Sequence, residues 1–216
     1  MIRKQEKRSN FSFLNPIKEH VGHNKKEYAI VAILFLIGVI LGVLFINHMT
    51  EQEGKQIAEY IQTFIDCLKT DYQIDSGVLL KNSIVNNVIL ALLIWFMGST
   101  VIGIPVVYIL VGIKGFCLGY SISAILATLG VGKGILFSGI TLLFQNMLVI
   151  PCVLALAVSG IKLYQSIMKD KRKENMKMEI CRHTIFSLIM AIFLVGSSFI
   201  EVYISSNLCM LCIQFF

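Results

Sequence analysis

The chain has 216 residues, of which 56% are hydrophobic and only 15% charged, with a mean hydropathy of +0.77. Those proportions exclude an ordinary soluble domain, because apolar runs this long cannot be wrapped in polar surface. The formal net charge of +6 does not make it a nucleic-acid binder. Seven of the nineteen Lys/Arg fall in residues 1–28 and seven more in 162–182, flanking apolar runs as cytoplasmic loops do.

The basic N-terminal segment, 1–28, contains Asn15-Pro16, a candidate helix start. A short interfacial helix and a plain juxtamembrane tail are both open there. The first span is expected at 29–46, where Gly38 and Gly42 form a GxxxG pair suited to close helix contact. The positive-inside rule puts the N-terminus in the cytoplasm.

Residues 47–82 form the one acidic segment, an extracytoplasmic loop. Within it Ile57, Ile61, Phe64 and Leu68 recur at helical spacing and predict an amphipathic helix over 51–69. Its apolar face is free to lie on the membrane, on the bundle or against another protein; packing on its own bundle is the simplest of these.

Residues 83–161 are a Gly/Pro-marked core of three spans. The second span is expected from Ser83 to about Leu110, with Gly98 and Gly103 at helix contacts and Pro105 kinking or dividing it. The third carries Gly115, Gly119, Ser123 and Ala127 every fourth residue, a stripe of small side chains on one face. Residues 130–134, GVGKG, read as a tight turn, since the phosphate-loop pattern is incomplete. The fourth span, from Ile135 to about Ile161, contains Pro151 as a second shape-setting residue. It also contains Gln145 and Asn146, which in hydrocarbon must face protein.

A basic loop at 162–183 returns the chain to the cytoplasm, and the fifth span, 184–204, carries Glu201, the only carboxylate in any predicted span. The tail, 205–216, is then extracytoplasmic. The fold expected is an all-α membrane bundle of about five spans, with some helices broken at Gly or Pro.

No chemistry is assembled by the motifs. The four His are scattered, no His, Cys and carboxylate share ligand spacing, and no nucleophile can be paired with a base. Cys209-x-x-Cys212 stands alone near the terminus and reads as an incidental thiol pair or an unforced disulfide. No catalytic residue, metal or cofactor is therefore expected.

The ordered series Asn87, Trp95, Gly98, Gly103, Pro105, Lys114-Gly115, Gly119, Gln145-Asn146, Ile150-Pro151, Ser198, Glu201 and Tyr203 resembles the stage II sporulation protein M family of integral membrane proteins. The resemblance spans about residues 20–208. It departs from the family pattern at Phe144, where a proline commonly precedes the amide pair, and at Ser205-Ser206, where a proline often follows the acid.

What the resemblance implies is a non-enzymatic scaffold in the mother-cell membrane of endospore formers. Its partners would be stage II sporulation proteins P and D, hydrolases of septal peptidoglycan, held as a complex that drives forespore engulfment. The matching positions would act structurally: Gly115 and Gly119 in packing, Pro105 and Pro151 in helix shape, and Asn87, Gln145, Asn146 and Glu201 as buried polar contacts. The lipid bilayer is the other partner, nucleic acid is not one, and a homo-oligomer is left open. The competing class is a permease or transporter component, with Pro105, Gln145, Asn146 and Glu201 lining a solute path.

Overall fold

The computed structural model describes residue 22 and residues 24–69, 76–100, 102–169, 176–205 and 207–209. Every regular element among them is helical: α1 (Lys25–Asn47), α2 (Glu51–Lys69), α3 (Ser76–Gly98), α4 (Ile104–Leu129), α5 (Val131–Ser138), α6 (Phe144–Lys169) and α7 (Met176–Ile200). Two π-helical turns complete the set: π1 (Gly139–Leu143) joins α5 to α6, and π2 (Glu201–Ser205) extends α7. Five stretches are long and apolar enough to cross a membrane: Lys25–Asn47, Ser76–Gly98, Ile104–Leu129, Phe144–Met168 and Met176–Cys209. The candidate interfacial helix before residue 22 and the position of Cys212 lie outside the described residues.

Apolarity does not decide which face of a span turns inward. Ile33, Leu36 and Ile40 on α1, or Leu188 and Ile192 on α7, are all more than half exposed, as befits side chains that meet lipid. Small and polar residues decide it instead, because lipid tails solvate a leucine as well as a protein core does. Gly38 and Gly42 are among the buried residues of α1, and Ser83, Asn87, Ala91 and Gly98 among those of α3. The most enclosed span is α6, whose Val149, Val153, Leu156, Ala157 and Val158 form the centre of the core. Around it stand α3 and α7, while α1 rests chiefly on α4.

The α1–α4 pair shows why glycine is required. A Cβ added at Gly38 would overlap the carbonyl oxygen of Gly112, and one at Gly42 that of Phe116. From the other side, a Cβ at Gly115 would overlap the Phe35 carbonyl and one at Gly119 the Val39 carbonyl. Rising numbers on α1 meet rising numbers on α4, so the two spans run parallel. Phe45 closes the seam against Phe116, with ring centroids 5.7 Å apart.

The start of α1 and the C-terminal part of α6 fall at one end of the bundle: Lys162 of α6 lies 2.7 Å from Glu27 at the start of α1.

At the opposite end α2 folds over the bundle. Ile65 is buried with Phe137 and Cys209, and Ile61 packs beside them against Ile125 and Leu129. Part of the apolar face seen in the sequence is thus covered by the protein itself, whereas Phe64 remains half exposed. The helix starts from a reciprocal pair: the Thr50 amide and hydroxyl donate to Glu53 Oε2 at 3.0 and 2.8 Å, and the Glu53 amide returns to the Thr50 hydroxyl at 3.4 Å. These donors hold the Glu53 carboxyl below its ordinary range. A lowered folded-state value means that the contribution is present above the unfolded value and is lost as pH falls through the folded one. Acidification is therefore expected to lower the protection of the first-turn amides of α2, read as exchange relative to each amide's intrinsic rate at the same pH, and Thr50→Ala to lower it already at neutral pH.

The structure revises four readings of the sequence. The second span ends at Gly98, not near Leu110, and the third begins at Ile104, so Pro105 sits in the first turn of α4 and kinks nothing. A proline there costs little, because the first turn's amides have no helical acceptor. Gly103 is a turn glycine, not a packing one: a Cβ would overlap the Met97 carbonyl within the same chain reversal. The only turn in residues 130–134 is Gly130, with φ +78°, and helix resumes at Val131. Finally, Ala127 is exposed and Ser123 half-buried, because the register of the seam brings α1 to its end before Ala127.

Candidate functional site

The polar residues of the spans gather where α3, α6 and π2 meet, at the end covered by α2. Glu201 opens π2 and is half-buried. Its Oε2 accepts hydrogen bonds from the Ser83 hydroxyl on α3 and, at 2.6 Å, from Gln145 Nε2 on α6. Three helices are joined through one carboxylate oxygen. One turn further along α3, the buried Asn87 donates from Nδ2 to Ser198 Oγ at 2.9 Å, to Leu194 O at 3.2 Å and to Ser197 Oγ at 3.3 Å. The two serines are fully buried, so this cluster locks α3 to α7 beneath the carboxylate.

Local structure explains why Gln145 and not its neighbour reaches Glu201. Adjacent helical residues point about 100° apart, so only one of the amides can face the junction. Asn146 turns back along its own chain, donating to Leu142 O at 2.8 Å, while Thr141 donates to Phe137 O at 2.7 Å. These side chains satisfy carbonyls around π1, where the regular ladder is widened. Such π insertions occur often at functional sites, and here the two touch each other, with Glu201 the first residue of one of them.

Of the expected polar contacts, Asn87, Gln145 and Glu201 come together in one junction, and Asn146 does not join it. Gly98 lies at the far end, where α3 crosses α6: a Cβ on Gly98 would lie 3.0 Å from the Gly160 Cα, and one on Gly160 2.8 Å from the Gly98 Cα. Pro151 lies within α6 with its side chain exposed. It removes one backbone donor from the turn after the amide pair.

Several partners were not singled out from the sequence. Gly160 is one and Ser83 is another; the four-residue spacing of Ser83 and Asn87 was a usable signal, since it places both on one face of α3. A third is His183, buried near Gly98, whose Nδ1 hydrogen-bonds with Ser159 Oγ at 2.8 Å. It fastens α7 to α6 at the end of the bundle that carries the Lys162–Glu27 ion pair. Among the described residues, no group of three or more His, Cys, Asp or Glu is placed to hold a metal ion.

The fold and the junction define a polytopic, all-helical membrane protein whose spans are fixed to one another by glycine contacts and side-chain hydrogen bonds. The family model for Stage II sporulation protein M matches residues 31–206, and the chain belongs to that family. It is thus a sporulation-related multi-pass membrane protein, and the matched span contains both the α1–α4 seam and the Glu201 junction. Neither a curated protein nor a solved structure matches the chain.

Proposed function

We propose that this protein is a non-enzymatic scaffold that recruits and stabilises a peptidoglycan-hydrolase complex at the sporulation septum, from the mother-cell side, for forespore engulfment. Its partners in this reading are stage II sporulation proteins P and D, whose catalytic domains work outside the membrane. The observation that carries it is the placement of α2. Ile61 and Ile65 tie this helix to the bundle and leave Glu51, Glu53 and Glu59 exposed, together with the 76%-exposed Tyr60. A fixed acidic ledge with an aromatic contact is a surface that a soluble domain can dock on.

Co-expression and gentle detergent extraction should recover protein P with the full chain. The variant Glu59→Lys should accumulate normally yet lose much of that recovery, because Glu59 is exposed and lies outside the first turn of α2. Undiminished recovery would remove α2 as the docking surface. Absence of protein P from the wild-type preparation, with both chains expressed, would remove the scaffold reading itself, and normal engulfment with altered solute uptake in a deletion strain would replace it with transport.

A further inference from the structure

Between α6 and α7, at the end of the bundle that carries the Lys162–Glu27 ion pair, lies a pocket of about 180 Å³. Lys162 from α6 and Arg182 from α7 line it with one carboxylate, Glu179, and with the hydrogen-bonded Ser159–His183 pair. Leu163 and Phe186 supply its apolar wall. The two cations are not used up by their partners. Glu27, from α1, takes one of the three Lys162 donors at 2.7 Å, and Glu179 takes one of the five Arg182 donors at 2.9 Å. The second pair lies three residues apart on one helix, with the Arg182 side chain 74% exposed, so it contributes little and gives way readily.

The sequence sets the depth of this pocket. No charged residue lies between Phe144 and Ile161 or between Thr184 and Ile200, so Lys162 and Arg182 are the first charges at this end of their two spans. The first Lys or Arg beyond an apolar run lies at the level of the lipid headgroups. The segment that joins the two walls, 162–182, holds seven Lys/Arg against three carboxylates, a balance that draws anionic lipid toward this end.

We infer that the pocket binds the headgroup of an anionic phospholipid with a single phosphodiester, of the phosphatidylglycerol type, its phosphate on Lys162 and Arg182 and its glycerol backbone against Leu163 and Phe186. Basic pockets between membrane-spanning helices take such headgroups. A guanidinium offers phosphate oxygens a fork of donors, and an ammonium adds a point charge. Glu179 decides the charge class. Two cations and one carboxylate leave the lining one positive charge, which matches one phosphodiester and disfavours a dianion. The volume lies below the roughly 300–1,000 Å³ of sites that enclose a whole drug-sized molecule, so the headgroup enters and the acyl chains stay outside, along the spans. The lipid would bridge α6 to α7 and, through Lys162 and Glu27, reach α1.

The test is thermal unfolding of the full-length chain in detergent micelles of fixed phospholipid content, with phosphatidylglycerol replacing phosphatidylcholine stepwise at constant ionic strength. A parallel series adds inorganic phosphate to micelles holding phosphatidylcholine alone. Once phosphatidylglycerol exceeds its dissociation constant, each tenfold increase should raise the melting temperature by about 3 °C, the shift that binding to the folded state gives a chain of this size. Arg182→Gln, at an exposed side chain, should move the midpoint of that rise to about tenfold more phosphatidylglycerol. Glu179→Gln, which removes the one negative charge of the lining, should move it to less. Lys177→Gln removes a positive charge from the same segment outside the pocket and should leave the midpoint in place. No phosphatidylglycerol dependence in the wild type would overturn the proposal. Equal weakening by Lys177→Gln and Arg182→Gln would also overturn it, by reducing the effect to a diffuse attraction to the basic segment. A matching rise with inorganic phosphate would reassign the pocket to a free anion. Should Arg182→Gln not accumulate, an unmoved midpoint in Glu179→Gln overturns the site by itself.

Discussion

Gly119→Leu is expected to separate α1 from α4 and to be among the most damaging single substitutions in the protein. The new side chain would start inside the van der Waals shell of the Val39 carbonyl, and backbone cannot move aside as a flexible side chain can. Overpacking a core costs about 1–3 kcal/mol when neighbouring side chains adjust; here the helices themselves must part, so the cost should lie at or above that range. The damage would spread along the seam, because Gly38, Gly42 and Gly115 depend on the same approach. Gly112→Leu is the matched control: on the same helix, a Cβ at Gly112 meets nothing within 4 Å. Leu118→Ala, which only removes bulk, is a second. Measured by accumulation in the membrane and by melting temperature in detergent, Gly119→Leu should fall well below both controls. Equal behaviour of Gly119→Leu and Gly112→Leu would mean that the parallel seam does not hold α1.

That seam was legible in the sequence because its cause is a period. Gly38 and Gly42, and Gly115 and Gly119, each recur at four residues, and helical geometry alone turns that spacing into a stripe. Ala127 continues the same period, yet it is exposed, since a period says nothing of where the partner helix ends. Pro105 was misplaced for a related reason. A proline after Gly103 in an apolar run is compatible with a kink inside one span or with the first turn of the next. Hydropathy reads nearly the same in both cases, and only the reversal at Ser99–Gly103 decides between them.

The polar junction was legible in part. Each of Asn87, Gln145 and Glu201 stands alone in apolar sequence, which is enough to turn it inward. Which polar residue meets which depends on the arrangement of α3, α6 and α7 and on the two π-turns, and neither is written in local pattern. Ser83, adjacent to Asn82 and close to Lys81, marks in the sequence only the start of the second span. Its role appears only once α7 brings Glu201 beside it. The same helices α3 and α6 meet at both ends, through the Glu201 junction at one and the Gly98–Gly160 crossing at the other.

Gly160→Leu tests that crossing and should match Gly119→Leu in severity. Gly160 faces Gly98 backbone to backbone, and a Cβ there would lie 2.8 Å from the opposing Cα, closer than folded proteins tolerate without a shift. Moving α6 away from α3 at this point also disturbs His183, because a Cβ on Gly98 already lies within 3.6 Å of its Nε2 and Ser159, next to Gly160, holds its Nδ1. The hydrogen bond between α6 and α7 would then weaken together with the α3–α6 contact. Leaving buried polar groups unpaired costs about 1–3 kcal/mol in addition to the steric term. Gly196→Leu is the control on α7, where a Cβ meets nothing within 4 Å. The expected result is that Gly160→Leu lowers the melting temperature and accumulation sharply, that Gly196→Leu does neither, and that Ser159→Ala falls between them. If Gly160→Leu were as stable as Gly196→Leu, α3 and α6 would not be in backbone contact, and that end of the bundle would have to be held by polar contacts such as Lys162–Glu27, His183–Ser159 and Trp95–Thr184.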